Sequence, residues 1–178
     1  MKLNKLIAIA TISLLSGGIS MAQKALNLED IVAGNVIQTK GIGSMTWLKD
    51  GERYSRLENN KQTGGTDIVA YQAKDNSREV IIPSSLLTDK STGKPIPARS
   101  ISWSADNKKV LIYNNTQRVW RYDTRGDYWV LNLKDGALRQ LGKGMPESSM
   151  MFAKFSPDGT RVAYVSNNNI YVEDIDSG

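Results

Sequence analysis

The residues best equipped for chemistry here are one arginine, three recurring aspartates and two serines, and none has a histidine to work with. The 178 residues contain no His and no Cys. The usual base of a Ser or Cys nucleophile is therefore missing, as are the thiolate and the commonest metal ligand. A Ser-His-Asp triad cannot be assembled from these residues. Ser104 and Ser156 stand beside turn signals, Asp106-Asn107 and Pro157-Asp158-Gly159, and read as turn-stabilising hydroxyls. Asp50, Asp106 and Asp158 recur at one place in a repeated segment, which fits turn formation better than the two positioned carboxylates of a glycosidase. Gly64-Gly65 and Gly142-Lys143-Gly144 lack the strand-to-helix setting of a phosphate loop. No metal or other cofactor is expected. Arg121 carries a fork of five donors suited to carbonyl or carboxylate recognition. Its alternative is a surface ion pair with Asp123 or Asp127. Arg118 and Arg125 read as solvated charges. Asn114-Asn115-Thr116 fits a glycan acceptor, in a source that glycosylates exported proteins.

Composition narrows the setting. Charged residues are 23% and hydrophobic residues 40% of the chain, values of a globular domain rather than a disordered one. The net charge of +5 falls by two, to +3, if Lys2 and Lys5 leave with the leader described next. Positive and negative residues alternate without a basic block, so a nucleic-acid partner is not expected.

The first 22 residues read as an export signal. Lys2 and Lys5 give a cationic start, Leu6 to Leu15 an apolar run, and Gly17-Gly18 a break. Ser20 and Ala22 then put small residues three and one positions before Gln23, the pattern a signal peptidase reads. Leu6 to Ala22 is 17 positions, short of the ~20 apolar residues that span a bilayer. Cleavage after Ala22 is expected. Without a Cys no lipoprotein anchor can form, and a Cys-free mature chain suits a periplasm or an extracellular space.

The elements that must position Arg121 come from an internal repeat. Met45-Thr46-Trp47-Leu48-Lys49-Asp50-Gly51, Ile101-Ser102-Trp103-Ser104-Ala105-Asp106-Asn107 and Ala153-Lys154-Phe155-Ser156-Pro157-Asp158-Gly159 align. Each has a large aromatic, two spacers, then Asp followed by Gly or Asn. Asp-Gly and Asp-Asn accept the positive φ of tight hairpin turns. A second hairpin follows in every unit. Residues 67–71 lead to 79–82 through Lys74-Asp75-Asn76, and residues 128–133 lead to 137–141 through Lys134-Asp135-Gly136. In the third unit 170–175 leads to Asp176-Ser177-Gly178, where the sequence stops. Four short antiparallel strands at a spacing of 56 and 52 residues describe blades of a β-propeller, against the alternative of a β-sandwich. The expected fold class is all-β, a partial β-propeller of about three blades with the last incomplete. The divisions are 1–22 signal peptide, 23–44 a lead-in with one helical turn at 28–34, and 45–178 the blades. An unfinished blade leaves unpaired backbone groups at its edge, so a longer protein is expected to follow.

The segment Phe155-Ser156-Pro157-Asp158-Gly159-Thr160-Arg161-Val162-Ala163-Tyr164-Val165 resembles a repeat shared by exported propellers, including the Tol translocation protein and the prolyl oligopeptidase family. The chain also carries Leu28-Glu29-Asp30-Ile31, Trp120-Arg121-Tyr122, Arg125-Gly126-Asp127-Tyr128 and Asn168-Asn169-Ile170-Tyr171-Val172. In this order they are similar to the N-terminal propeller of the dipeptidyl peptidase IV family of serine peptidases, over residues 26–178. The resemblance implies an exported serine-type dipeptidyl peptidase that removes Xaa-Pro or Xaa-Ala from peptide N-termini. Its propeller gates and anchors the substrate, and its catalytic Ser, Asp and His lie in a C-terminal α/β-hydrolase domain. It also leaves room for a homodimer. In that family an Arg of the Trp-Arg segment reaches peptide carbonyls, a place that Arg121 matches. The family often has His-Ser next, whereas Tyr122-Asp123 stands here. The other function class is a non-catalytic exported propeller that binds a partner protein in the Tol manner; Gly-x-Ser-x-Gly and a His farther along would favour the peptidase.

Overall fold

The computed structural model describes residues 27–32, 41 and 43–177. The expected signal peptide, 1–22, lies outside the described residues. Within the lead-in, Leu28–Val32 forms a single helical turn, α1. Its expected stop at Gly34 also lies outside them.

From residue 45 onward the chain is built of antiparallel sheets, each closed by the turns that the repeat specifies. The first blade comprises β1 (Met45–Trp47), β2 (Arg53–Asn59), β3 (Thr66–Gln72) and β4 (Arg78–Ile82), hydrogen-bonded in sequence order. A crossover follows, holding a 3-10 turn at Ser84–Leu87 and a two-stranded ribbon of β5 (Thr88–Asp89) and β6 (Lys94–Pro95). The second blade is β7 (Ser100–Trp103), β8 (Lys109–Val119), β9 (Tyr122–Asn132) and β10 (Ala137–Gln140). A three-stranded sheet, β11 (Met151–Phe155), β12 (Arg161–Ser166) and β13 (Asn169–Asp174), forms the third. The fold is therefore all-β, with open, blade-like sheets in the order the repeat predicts.

The aspartates do what turn formers do. Asp106 Oδ1 accepts from the Ser104 hydroxyl (2.7 Å) and the Lys108 N–H (3.0 Å), while the Lys109 N–H donates to Ser104 Oγ (2.9 Å). Ser156 and Asp158 repeat this pattern, with 2.5 Å from hydroxyl to carboxylate and 3.0 Å from the Thr160 N–H to Asp158. In the first blade Leu48 replaces the serine, and Asp50 Oδ1 takes the N–H groups of Glu52 and Arg53 instead, both at 3.0 Å. Gly51 and Gly159 have φ of 72° and 69°, and Asn107 has 57°, the region these residues tolerate best.

The core lies between blades. Val110 and Ile112 of β8, with Leu131 of β9, pack into one cluster with Ile68 and Ile82 of the first blade. The alternate residues Leu111 and Tyr128 enter a second cluster with Val162 and Tyr164 of the third blade. Period-two alternation thus gives the second blade two buried faces, and its central strands read as unbroken apolar runs, Val110-Leu111-Ile112 and Tyr128-Trp129-Val130-Leu131. Ile68 and Ile82 of the first blade and Val162 and Tyr164 of the third meet the second blade in these clusters, while Met45, Trp47, Ile170 and Val172 are exposed. The Trp103 indole crosses the first interface, donating to Ser55 Oγ at 2.9 Å. The second interface is tied by an antiparallel bridge in which Gly126 and Met150 exchange N–H groups at 3.0 and 3.1 Å.

Two outcomes follow from this packing. A Cβ on Gly126 would stand 2.4 Å from a Tyr113 ring carbon and 2.6 Å from the Asn114 carbonyl oxygen. Gly126→Ala should therefore cost about 1–3 kcal/mol by overpacking, read as a lower urea midpoint at unchanged m. The Ser156 hydroxyl, then the Thr160 N–H and hydroxyl, hold the Asp158 carboxyl at about 2 against an ordinary 3.8. Its contribution to stability is complete above 3.8 and disappears as pH falls through about 2. Ser156→Ala should move the Asp158 midpoint upward towards 3.8 in a carboxyl NMR titration.

Candidate binding cleft and relatives of the chain

Arg121 stands on an arm that the sequence reading did not foresee. The second strand pair was expected to begin at residue 128, but β9 begins at Tyr122 and pairs with a β8 that runs on to Val119. The two 11-residue strands extend well beyond their blade, passing through register shifts between Asn114 and Gln117 and again before Arg118. Polar composition hid this extension, because Asn114 and Asn115 are poor strand formers. Cross-strand pairing overrides that preference. Trp120 and Arg121 form the two-residue turn at the tip. Trp120 has φ of 61°, a conformation that usually selects Gly in such hairpins, and its ring is 94% exposed. A bulky side chain held there without burial is a feature of sites rather than of cores.

The base of the arm is braced from several sides. Asp127 is buried, and its carboxylate accepts from the Ser148 N–H (2.7 Å) and the Asn115 amide (2.7 Å). The Ser148 hydroxyl in turn donates to the Asn115 carbonyl at 2.6 Å. Higher up, the Tyr113 hydroxyl lies 3.1 Å from the Asp123 carbonyl oxygen and 2.9 Å from that of Arg125. Burial first, then the Tyr128 and Asp123 charges, pushes its pKa up to about 12, so it stays a donor at any physiological pH. Arg99, from the crossover, pairs with Asp123 through Nη2 at 3.2 Å.

Between this arm and the head of its blade lies a cleft of about 470 Å³, with Arg99, Tyr113, Arg118, Arg121, Tyr122 and Asp123 on its walls. Ser44 and Ser100 complete the lining. The ion pair considered for Arg121 does not form, because Arg99 occupies Asp123 and the arm itself occupies Asp127. Among the described residues, the Arg118 and Arg121 guanidiniums have no hydrogen-bond or ion-pair partner. Arg118, read as a solvated charge, does face solvent, but it does so inside the same cleft as Arg121. Arg125 is exposed and lies outside the lining. The sequence reading gave no site role to Arg99 or Tyr113; Tyr113 closes the second repeat segment and Arg99 stands in no motif, and only the folded crossover and blade bring them to the arm. Asn114, read as a glycan acceptor, is 9% exposed on β8, so its amide is hidden in the folded chain.

A second cavity of about 870 Å³ opens where the second and third blades meet. The Arg139 and Glu173 charges on its wall are committed to each other. Glu173 Oε2 accepts from the Gly142 N–H at 2.9 Å and the Tyr164 hydroxyl at 3.3 Å, and Glu173 Oε1 pairs with Arg139 at 3.3 Å. This is a clamp between blades. The Arg121 cleft is where donors are left open.

Comparison with known proteins agrees with the resemblance read from the motifs. Residues 104–178 match the family described as the dipeptidyl peptidase IV (DPP IV) N-terminal region. A probable dipeptidyl-aminopeptidase B of Tuber melanosporum is 28% identical over 160 residues, 86% of this chain and 17% of that protein. One of Aspergillus terreus is 25% identical over 171 residues, 91% of this chain and 18% of that protein. Among solved structures, Porphyromonas gingivalis dipeptidyl peptidase 4 superposes with a TM-score of 0.68 at 22% identity, covering 86% of this chain and 21% of that one. That likeness carries the fold. The chain spans less than a fifth of the length of the two dipeptidyl-aminopeptidases B and about a fifth of the Porphyromonas gingivalis chain. By its aligned repeats, its matched region and these relatives, the chain is similar to the dipeptidyl peptidase IV N-terminal region, and it has the blade-like fold of that propeller.

Proposed function

We propose that the chain is the substrate-anchoring propeller of an exported serine-type dipeptidyl peptidase, acting beside an α/β-hydrolase domain that carries the Ser, Asp and His. The relatives that support this are named as dipeptidyl-aminopeptidases. The observation that carries the anchoring role is Arg121, which stands at the tip of a braced arm with no partner of its own among the described residues. A guanidinium so placed donates to backbone carbonyls of a peptide in the cleft and holds the chain so that its second bond meets the nucleophile. Positioning of this kind lowers a barrier by up to ~7–11 kcal/mol in the best-aligned systems. Cleavage of Xaa-Pro or Xaa-Ala peptides, gating by the propeller, export with removal of residues 1–22, and a homodimeric state belong to the same proposal.

Two measurements test it. The 178-residue chain alone should release no product from an Xaa-Pro chromogenic peptide, since it has no histidine to serve a serine nucleophile; hydrolysis by the purified chain would overturn the division of labour. When the propeller is joined to its hydrolase domain, Arg121→Ala should lower kcat/KM for that peptide by about 1.5–3 kcal/mol, the worth of a charge-assisted hydrogen bond. An unchanged kcat/KM removes Arg121 from the site.

A further inference from the structure

The cleft holds more positive charge than a neutral peptide can use. Three guanidiniums, from Arg99, Arg118 and Arg121, share it with one carboxylate, Asp123. Arg99 consumes that carboxylate. Tyr113 on the wall stays protonated, because burial first and then neighbouring charge push its pKa up to about 12. Arg118 and Arg121 are thus both left without a counter-charge. The other polar groups on the wall, the hydroxyls of Tyr122, Ser44 and Ser100, can donate as readily as accept. A peptide carbonyl accepts from one guanidinium but neutralises neither.

The arm makes this excess a fixed feature. Arg118 lies opposite Asp123 in the β8–β9 ladder, yet Asp123 is drawn to Arg99. The Arg99 brace therefore performs two jobs: it holds the arm, and it takes away the one acid that could have quenched Arg118. A surface patch of loose lysines would not have this character. Here one open guanidinium stands near the end of β8 and the other on the adjoining two-residue turn, on strands paired up to Val119 and Tyr122.

We infer that the cleft selects peptides bearing a carboxylate side chain, with Arg121 on a backbone carbonyl and Arg118 on the acid. This rests on the peptide-anchoring reading of Arg121 and extends it to a substrate class. A planar fork facing a carboxylate makes paired hydrogen bonds that an amide cannot match, because half of the amide is itself a donor. Exposure limits the size of the preference through solvent screening, so the acid should gain about three- to tenfold in affinity over its amide isostere.

The test uses the 178-residue chain with four tripeptide amides, Asp-Pro-Ala and Ala-Pro-Asp and their Asn counterparts, titrated by calorimetry at low and at physiological salt. At least one Asp peptide should bind about three- to tenfold more tightly than its Asn counterpart, with the ratio shrinking as salt rises. Arg118→Gln should bring the ratio to about one. Arg125→Gln, on the same arm but outside the cleft, should leave the ratio intact. Arg121→Gln should weaken all four peptides. Equal affinities for Asp and Asn, or a preference that survives Arg118→Gln, overturn the carboxylate inference while leaving peptide anchoring in place. Peptide binding that is indifferent to Arg121→Gln overturns the anchoring reading as well, and so does failure of all four peptides to bind. Circular dichroism of each variant separates a lost contact from a lost fold.

Discussion

Burial between sheets is the interaction on which everything else in this molecule depends. Val110, Ile112 and Leu131 are buried in one cluster with Ile68, Ile82, Leu87 and Ile96, and Leu111 and Val130 in another with Leu141, Met150, Val162 and Tyr164, so both clusters join residues of neighbouring blades. Each fully buried aliphatic contributes about 1.5–3 kcal/mol, and strand alternation sends half of these residues to either side. The second blade is consequently the most rigid scaffold available. The arm with Arg121 grows from its two central strands, β8 and β9.

That placement explains how a polar hairpin can present a charge with definition. An isolated two-stranded ribbon is marginal in water. This one is continuous with two buried strands at its base and is pinned by Asp127, Asn115 and Ser148 where it leaves the sheet. The first blade shows the same device without an arm: Asp67 accepts from the Ser84 N–H at 2.7 Å and the Asn60 amide at 3.0 Å. A buried carboxylate is tolerable because its lone pairs are met by donors. In both blades it fastens the crossover to the outer end of the third strand. The third blade has Asn169 at the equivalent place, and its amide turns to the Asn167 carbonyl instead.

The electrostatics of the two cavities differ for a reason of sequence economy. At the boundary of the second and third blades Arg139 and Glu173 meet, and the charges cancel where they hold sheets together. In the arm cleft the single acid is spent on Arg99, and the arginines at the tip face solvent. Structural charge is paired and recognition charge is left open.

Much of this was legible in the chain itself. The aromatic-x-x-Asp-Gly/Asn repeat is local chemistry, a turn that needs positive φ and flanks that alternate, and such signals survive without tertiary information. Hence the turns at Asp50, Asp106 and Asp158, the second hairpins at Asp75 and Asp135, and the serine roles all appear where expected. The absence of His in these 178 residues likewise limits the chemistry they can do. Only the tertiary structure decided how far β8 and β9 run, that Asn114 is buried, and that Arg99 takes Asp123 from the arginines of the tip. Those outcomes are set by long-range pairing and by competition among charges distant in sequence. Neither leaves a mark in a local window.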